Sequence, residues 1–197
     1  MSRDDASAAR LPAAYFEKVY RGDPDPWGFD TRWYEARKYA LTLAALPRER
    51  YARAFEPGCS NGALTEKLAP RCDALLAGEL VPEVAARARA RVARFAHVEV
   101  RELSIPDGWP EGTFDLVLLS EVAYYLTESG LRELLGRLDA SLAANGHVVA
   151  VHWTGETDYP LSGHAVHAAL AAHPGLHVLG SYAERDFVLG VYERSSA

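Results

Sequence analysis

A carboxylate at the tip of an apolar run, followed at once by a glycine-punctuated loop, is the part of this chain whose residue types and spacing suggest chemistry. The stretch reads Ala54-Phe55-Glu56-Pro57-Gly58-Cys59-Ser60-Asn61-Gly62 and opens into an apolar-periodic segment from Ala63 to Leu68. It predicts strand, loop and helix. Gly58 and Gly62 lack a Cβ, so the loop backbone can approach a ligand, and the helix behind it aims free N–H groups at whatever binds. A second apolar run, Ala74 to Gly78, ends in Glu79, a carboxylate suited to accept hydrogen bonds from both hydroxyls of a ribose. The two halves together describe a nucleoside pocket.

The loop and the acid in front of it decide which nucleoside. A dinucleotide site wants G-x-G-x-x-G, and that spacing is absent. Glu56, two residues before Gly58, would repel a pyrophosphate but suits a ligand carrying an ammonium and a sulfonium, as S-adenosylmethionine does. Two other readings compete. Gly58-Cys59-Ser60-Asn61-Gly62 also spells the G-x-S-x-G elbow of hydrolases, which needs earlier strands and then an acid and a histidine in order. Asp158 and His173 do follow, but the segment before residue 52 reads as helical. The bland alternative is a glycine-rich turn with no ligand.

These residues must be positioned by elements that alternate along the chain with short connections. Pro82 falls where a first helical residue belongs, ahead of an Ala/Arg helix from Glu83 to Arg91. Val98 to Glu102 reads as a strand. Phe114 to Ser120 is nearly continuous in apolar residues, as expected for a central parallel strand covered on both faces. Thr127 caps a helix expected to reach about Leu142 and to end at Asn145-Gly146. A strand from His147 to Trp153 comes next, then a short helix around Gly163 to Ala172. His177 to Ala183 and Asp186 to Tyr192 form a closing hairpin across Glu184-Arg185.

A chain of 197 residues with 49% hydrophobic content can bury one substantial core, so a single domain is expected over residues 1–197. The net charge of −6 offers no footprint for nucleic acid. No run reaches membrane-spanning length, and the polar start from Ser2 to Arg10 holds no apolar signal region, so no membrane association and a cytoplasmic location are expected. Cys59 and Cys72 have no metal spacing and read as free thiols. His164-x-x-His167 is a helical pair without an accompanying acid or cysteine pattern, so no metal site is expected. Nothing in the sequence bears on oligomeric state.

The order of elements resembles the class I S-adenosylmethionine-dependent methyltransferases over almost the whole chain. That resemblance implies an α/β fold, a Rossmann-like seven-stranded, mostly parallel sheet with an antiparallel last strand and helices on both faces. Residues 51–197 would form the cofactor core and residues 1–50 an N-terminal helical lid. More narrowly, Phe55 to Ser60, Ser120-Glu121-Val122-Ala123-Tyr124-Tyr125-Leu126 and His152-Trp153 look like the nodulation-protein-S type, whose namesake N-methylates the amino sugar of a chitooligosaccharide.

Carried over to this chain, the resemblance puts Glu56, Gly58, Cys59, Ser60 and Gly62 in the first cofactor motif, with Ser60 in place of its usual middle glycine. Glu79, with Leu80 beside it, takes the ribose position. The adenine position, usually acidic, falls on Ser104: either Ser104 and the backbone near Leu103 hold the base, or Glu102 turns inward. Ser120 and Glu121 would lie near the methionine moiety. Arg37, in the Trp33 to Tyr39 helix, would pair with its carboxylate. Trp27, Tyr34, Tyr124 and Trp153 would wall the acceptor, and Phe16 and Tyr39 read as packing.

Methyl transfer needs a lone pair held in line behind an activated methyl, with water excluded. An amine acceptor must lose a proton first, and His152, Glu121 and Tyr125 are the groups placed to take it. N-methylation of a small polar acceptor such as an amino sugar is therefore the favoured expectation. Small-molecule O-methylation and a non-catalytic cofactor-binding partner are the alternatives.

Overall fold

The computed structural model describes residues 10–195, so the polar start expected before Arg10 lies outside the described residues. Seven strands form one sheet in the order β3-β2-β1-β4-β5-β7-β6. They are β1 (Ala54–Pro57), β2 (Leu75–Glu79), β3 (Val98–Glu102), β4 (Phe114–Ser120), β5 (Leu142–Trp153), β6 (Leu176–Ala183) and β7 (Phe187–Arg194). The first five run parallel, and β7 is antiparallel to both β5 and β6. This is the expected Rossmann-like sheet with its antiparallel last strand.

Side-chain alternation on the central strands divides the core. Val117 and Leu119 of β4, with Val148 and Ala150 of β5, pack under α5 (Glu128–Ser141) and α6 (Gly163–Ala172). Leu116, Leu118, Val149 and Val151 face the other way, toward α2 (Trp33–Ala44) and α3 (Ala63–Leu68). Both faces are covered, which is why Phe114 to Ser120 reads as an apolar run rather than an alternation. Next along the chain from β2, α4 (Pro82–Val92) begins on its proline, and Thr127 accepts from the Gly130 amide at the start of α5, both as expected.

The end of α5 differs from expectation. The helix stops at Ser141, and β5 begins immediately at Leu142, which pairs with Phe114. Asn145, at φ 56°, sits in a register shift between that pairing and Leu116 with His147. Asn145-Gly146 thus punctuates a strand at a bulge-like irregularity rather than ending a helix.

The strand order reverses between β1 and β4, and the crevice at the carboxyl ends there is where open α/β sheets bind ligands. Two helices precede the sheet, α1 (Ala13–Gly22) and α2, and Arg10 bridges Leu126 beyond β4. Among the described residues no helix is long and apolar enough to cross a membrane.

Candidate functional site

The first side of the crevice is made largely by backbone. Gly58 and Cys59 both donate to the Gly78 carbonyl, at 2.7 and 2.9 Å, stitching the loop after β1 onto β2. Gly58 holds φ 73°, and a Cβ there would come within 2.7 Å of Val122, so the position admits only glycine without a shift. Glu79 grips the same loop: its Oε2 accepts from the Ser60 amide at 3.0 Å and its Oε1 from the Val81 amide at 2.9 Å. Each oxygen keeps a lone pair for a ligand. Glu56 is the contrast. It is buried, its Oε2 has no hydrogen-bond partner, and burial pushes its carboxyl up to about 8.

The structure places the remaining expected residues of this side as follows. Glu102 points outward to Arg89 at 2.9 Å, so it does not turn inward. Leu103 and Ser104 are on the cavity wall, and the Ser104 hydroxyl accepts from Arg10 at 2.9 Å. Gly62 is not on the wall. It opens α3 at φ 79°, where a Cβ would meet Ala88 at 3.2 Å, so it lets α3 and α4 approach. The hydrolase elbow has no support, because the Ser60 hydroxyl lies 2.7 Å from Tyr20 of α1 and not against a histidine.

The second side is made by side chains from separate elements. Lys38 of α2 is almost fully buried and places its ammonium 2.7 Å from Glu121 Oε1 and 3.0 Å from Glu35. Glu121 follows the tip of β4 at φ 53°, an uncommon conformation for a residue with a Cβ. Its Oε2 accepts from the Tyr124 hydroxyl at 2.6 Å and from the Trp153 amide at 2.9 Å. Tyr124 and Tyr125 meet edge to face with Tyr159 beside both. Burial raises both phenols well above their ordinary range.

Two expected residues stand elsewhere. Arg37 is not on the cavity wall; its guanidinium forms a two-pronged pair with Glu184, both contacts at 2.7 Å, and a third bond to Tyr182. The helix period explains this: Glu35, Lys38, Tyr39 and Thr42 share the buried stripe of α2, and Arg37 points away from it. His152 is fully buried behind the site. Its Nε2 accepts from the Ala123 amide at 3.2 Å, and its Nδ1 meets His167 at 3.1 Å, which in turn meets Tyr192. Burial pushes both imidazoles down to about 3, so they stay neutral and are closed to an acceptor. His152 orients the turn that carries Tyr124 and Tyr125.

The two sides enclose a cavity of about 500 Å³, within the range of small-molecule sites. Trp27, Tyr34, Tyr124, Tyr125 and Trp153 line it, as do Cys59, Leu80 and Ser120. Sequence reasoning missed Tyr20, Arg32, Glu35 and Lys38 on the wall, and held Tyr159, which also lines it, as a weaker candidate in the segment after β5. The spacing of Glu35 and Lys38, three residues apart on one helix, was the available signal.

Residues 17–151 match the family model described as NodS, nodulation protein S. The nodulation protein S of Rhizobium tropici is 38% identical over 127 residues, which cover 64% of this chain and 53% of the relative. The chain spans about half the length of the curated relatives it matches. A provisionally named methyltransferase from Pseudomonas syringae is similar in crystal structure, with 45% identity and a TM-score of 0.73, over 83% of this chain and 100% of that one. The crystal structure of N-methyltransferase NodS from Bradyrhizobium japonicum WM9 in complex with S-adenosyl-L-homocysteine has a TM-score of 0.84 at 25% identity, over 93% of this chain and 98% of that one.

Proposed function

The chain belongs to the nodulation protein S family, and from that premise we propose that it is an S-adenosylmethionine-dependent methyltransferase acting on an amine of a small polar molecule, such as an amino sugar. The observation that carries the reading is the charge of the wall where the two sides meet. Glu35 and Glu121 line the cavity there against the buried ammonium of Lys38, and Glu56 lines it from β1. Such a wall suits cations.

The residues present fit the cofactor. Glu56, with its orphaned oxygen, would hold the ammonium end, and Glu79 would take the ribose hydroxyls. Leu103 and Ser104 would flank the base, and the cavity-lining Arg32, rather than Arg37, would meet the carboxylate. When bound, the cofactor supplies an electrophilic methyl on a sulfonium. The protein's own work is to position the acceptor, exclude water and manage one proton. Residues 10–44 act as a lid over the cavity, tied down by Tyr20 at Ser60, by Arg10 at Ser104, and by Asp30, whose carboxylate takes Arg91 in two bonds at 2.6 and 2.7 Å. Trp27, Tyr34 and Trp153 offer ring faces with polar tips, a surface that packs against sugars. A cytoplasmic location goes with this reading, in keeping with two buried free cysteines.

Incubation with labelled cofactor, de-N-acetylated amino sugars, their N-acetylated counterparts and simple phenols tests the proposal. Label is expected on the free amines. Label on phenols or acetylated sugars alone would overturn the amine assignment, and no label on any acceptor, with no binding of S-adenosylhomocysteine, would overturn the methyltransferase reading.

A further inference from the structure

Resting on the methyltransferase reading, we propose that Glu35 is the catalytic residue that receives the acceptor's ammonium and takes its proton, with Lys38 as the positioning residue that holds it at the wall. The argument begins with what each neighbouring group already does. His152 is closed, with both nitrogens engaged. Glu121 has Lys38 on one oxygen and two donors, Tyr124 and the Trp153 amide, on the other. It is held as a fixture. Glu35 differs. Both of its oxygens lie 3.0 Å from the Lys38 ammonium, but only Oε1 has hydrogen-bond geometry, and Oε2 is buried without a partner.

The charge count names the ligand class. Two carboxylates share one ammonium between the lid helix and the tip of β4, leaving a net negative charge in a buried place, which is costly unless another cation joins. An incoming ammonium restores balance, and Oε2 is the oxygen left for it. The groups facing Glu35 are Tyr34, Lys38 and Tyr39 on its own helix, Arg32 just before it, and Glu121 from the end of β4. Burial, the largest influence, raises the proton affinity of Glu35, and Glu121 adds to this while Lys38 and Arg32 oppose it. A carboxylate so placed can accept a proton from an ammonium that it would leave untouched in water.

The step balances as follows. One N–H bond of the ammonium breaks and its proton goes to Glu35 Oε2, leaving a lone pair on nitrogen. That pair forms the new N–C bond to the transferred methyl as the C–S bond breaks, with its electrons going to sulfur. The product leaves as a methylated ammonium beside a neutral thioether, and Glu35 returns its proton to water.

The test is the affinity of Glu35→Gln for glucosamine oligomers and for their N-acetylated forms, by calorimetry with S-adenosylhomocysteine present, alongside a pH profile of transfer. Glu35→Gln is expected to lose about 10- to 100-fold in affinity for the amine and nothing for the acetamide, with binding of S-adenosylhomocysteine retained. Wild-type transfer should level off with rising pH once Glu35 is ionised. The variant's should keep rising until the free amine itself loses its proton. Unchanged amine affinity and an unchanged profile in a variant that binds S-adenosylhomocysteine overturn the assignment while leaving the methyltransferase reading intact. A wild type that binds S-adenosylhomocysteine but no amine overturns the amine reading and this proposal together. If Glu35→Gln does not fold, Glu35→Asp decides: it keeps the charge and should bind the amine more weakly while still preferring it to the acetamide, and wild-type affinity in that variant overturns the proposal.

Discussion

The two sides of the cavity are built on different plans. The side from β1 to β3 is a matter of backbone: loop amides on the Gly78 carbonyl, a carboxylate clamped by two further amides, and a glycine held where no Cβ fits. The side from α2, β4 and β5 is a matter of side chains, since Glu35, Lys38, Glu121 and Trp153 meet from elements far apart in sequence. A backbone site can be written in one contiguous string and serves one invariant ligand. A side-chain site can be rewritten residue by residue, which suits the partner that varies.

The joint between the sides is accordingly the most fragile point. Lys38→Met would leave the buried Glu35 and the partly buried Glu121 without their counter-charge and is expected to cost about 3–5 kcal/mol of stability, measured by urea unfolding. A small loss would mean that Glu35 is protonated in the folded chain, its burial outweighing the Lys38 ammonium. Glu79→Ala strikes the backbone side alone and should weaken S-adenosylhomocysteine by about 1.5–3 kcal/mol in calorimetry while sparing the acceptor. Equal losses for both ligands would erase the division.

A smaller effect comes from the buried imidazoles behind the side-chain half. The unfolded chain takes up protons below the ordinary histidine value of 6.5, while folded His152 and His167 refuse them down to about 3. The stability they contribute is therefore complete above pH 6.5 and falls as pH drops, by about 1.4 kcal/mol per pH unit for each histidine. His167→Gln should flatten the acid slope of unfolding free energy by one such increment. The smallest expected effect is at Arg37, whose partners are Glu184 and Tyr182 outside the cavity: Arg37→Ala should leave affinity for S-adenosylhomocysteine unchanged. A marked loss would return Arg37 to the site.

Legibility in the sequence follows the same division. The loop from Glu56 to Ser60, the acid at Glu79 and the departure at Ser104 are local strings, and all lie on the cavity wall. The same string groups Gly62 with them, because it does not say which face a glycine serves. On the other side, Arg37 was favoured for its chemistry, although the 3.6-residue period sets it off the stripe that buries Glu35 and Lys38. His152 falls to strand parity. It shares the face of Val148 and Ala150, under α6, while its neighbour Trp153 reaches the cavity. The pairing of Lys38 with Glu121, 83 positions apart, is tertiary and leaves no trace in local spacing.

On the proposed reading, Glu56 also makes the pocket an exchanger of protons for cations. Burial, which pushes its carboxyl up to about 8, makes Glu56 hold its proton more tightly than a carboxyl in water does. A cofactor bearing both an ammonium and a sulfonium would displace that proton on entry. The thioether left after transfer has lost the sulfonium charge, so it holds the carboxylate less firmly in its ionised form. Reprotonation of one buried oxygen then favours departure of the spent cofactor, and the acidity of the medium sets how readily the site is reloaded.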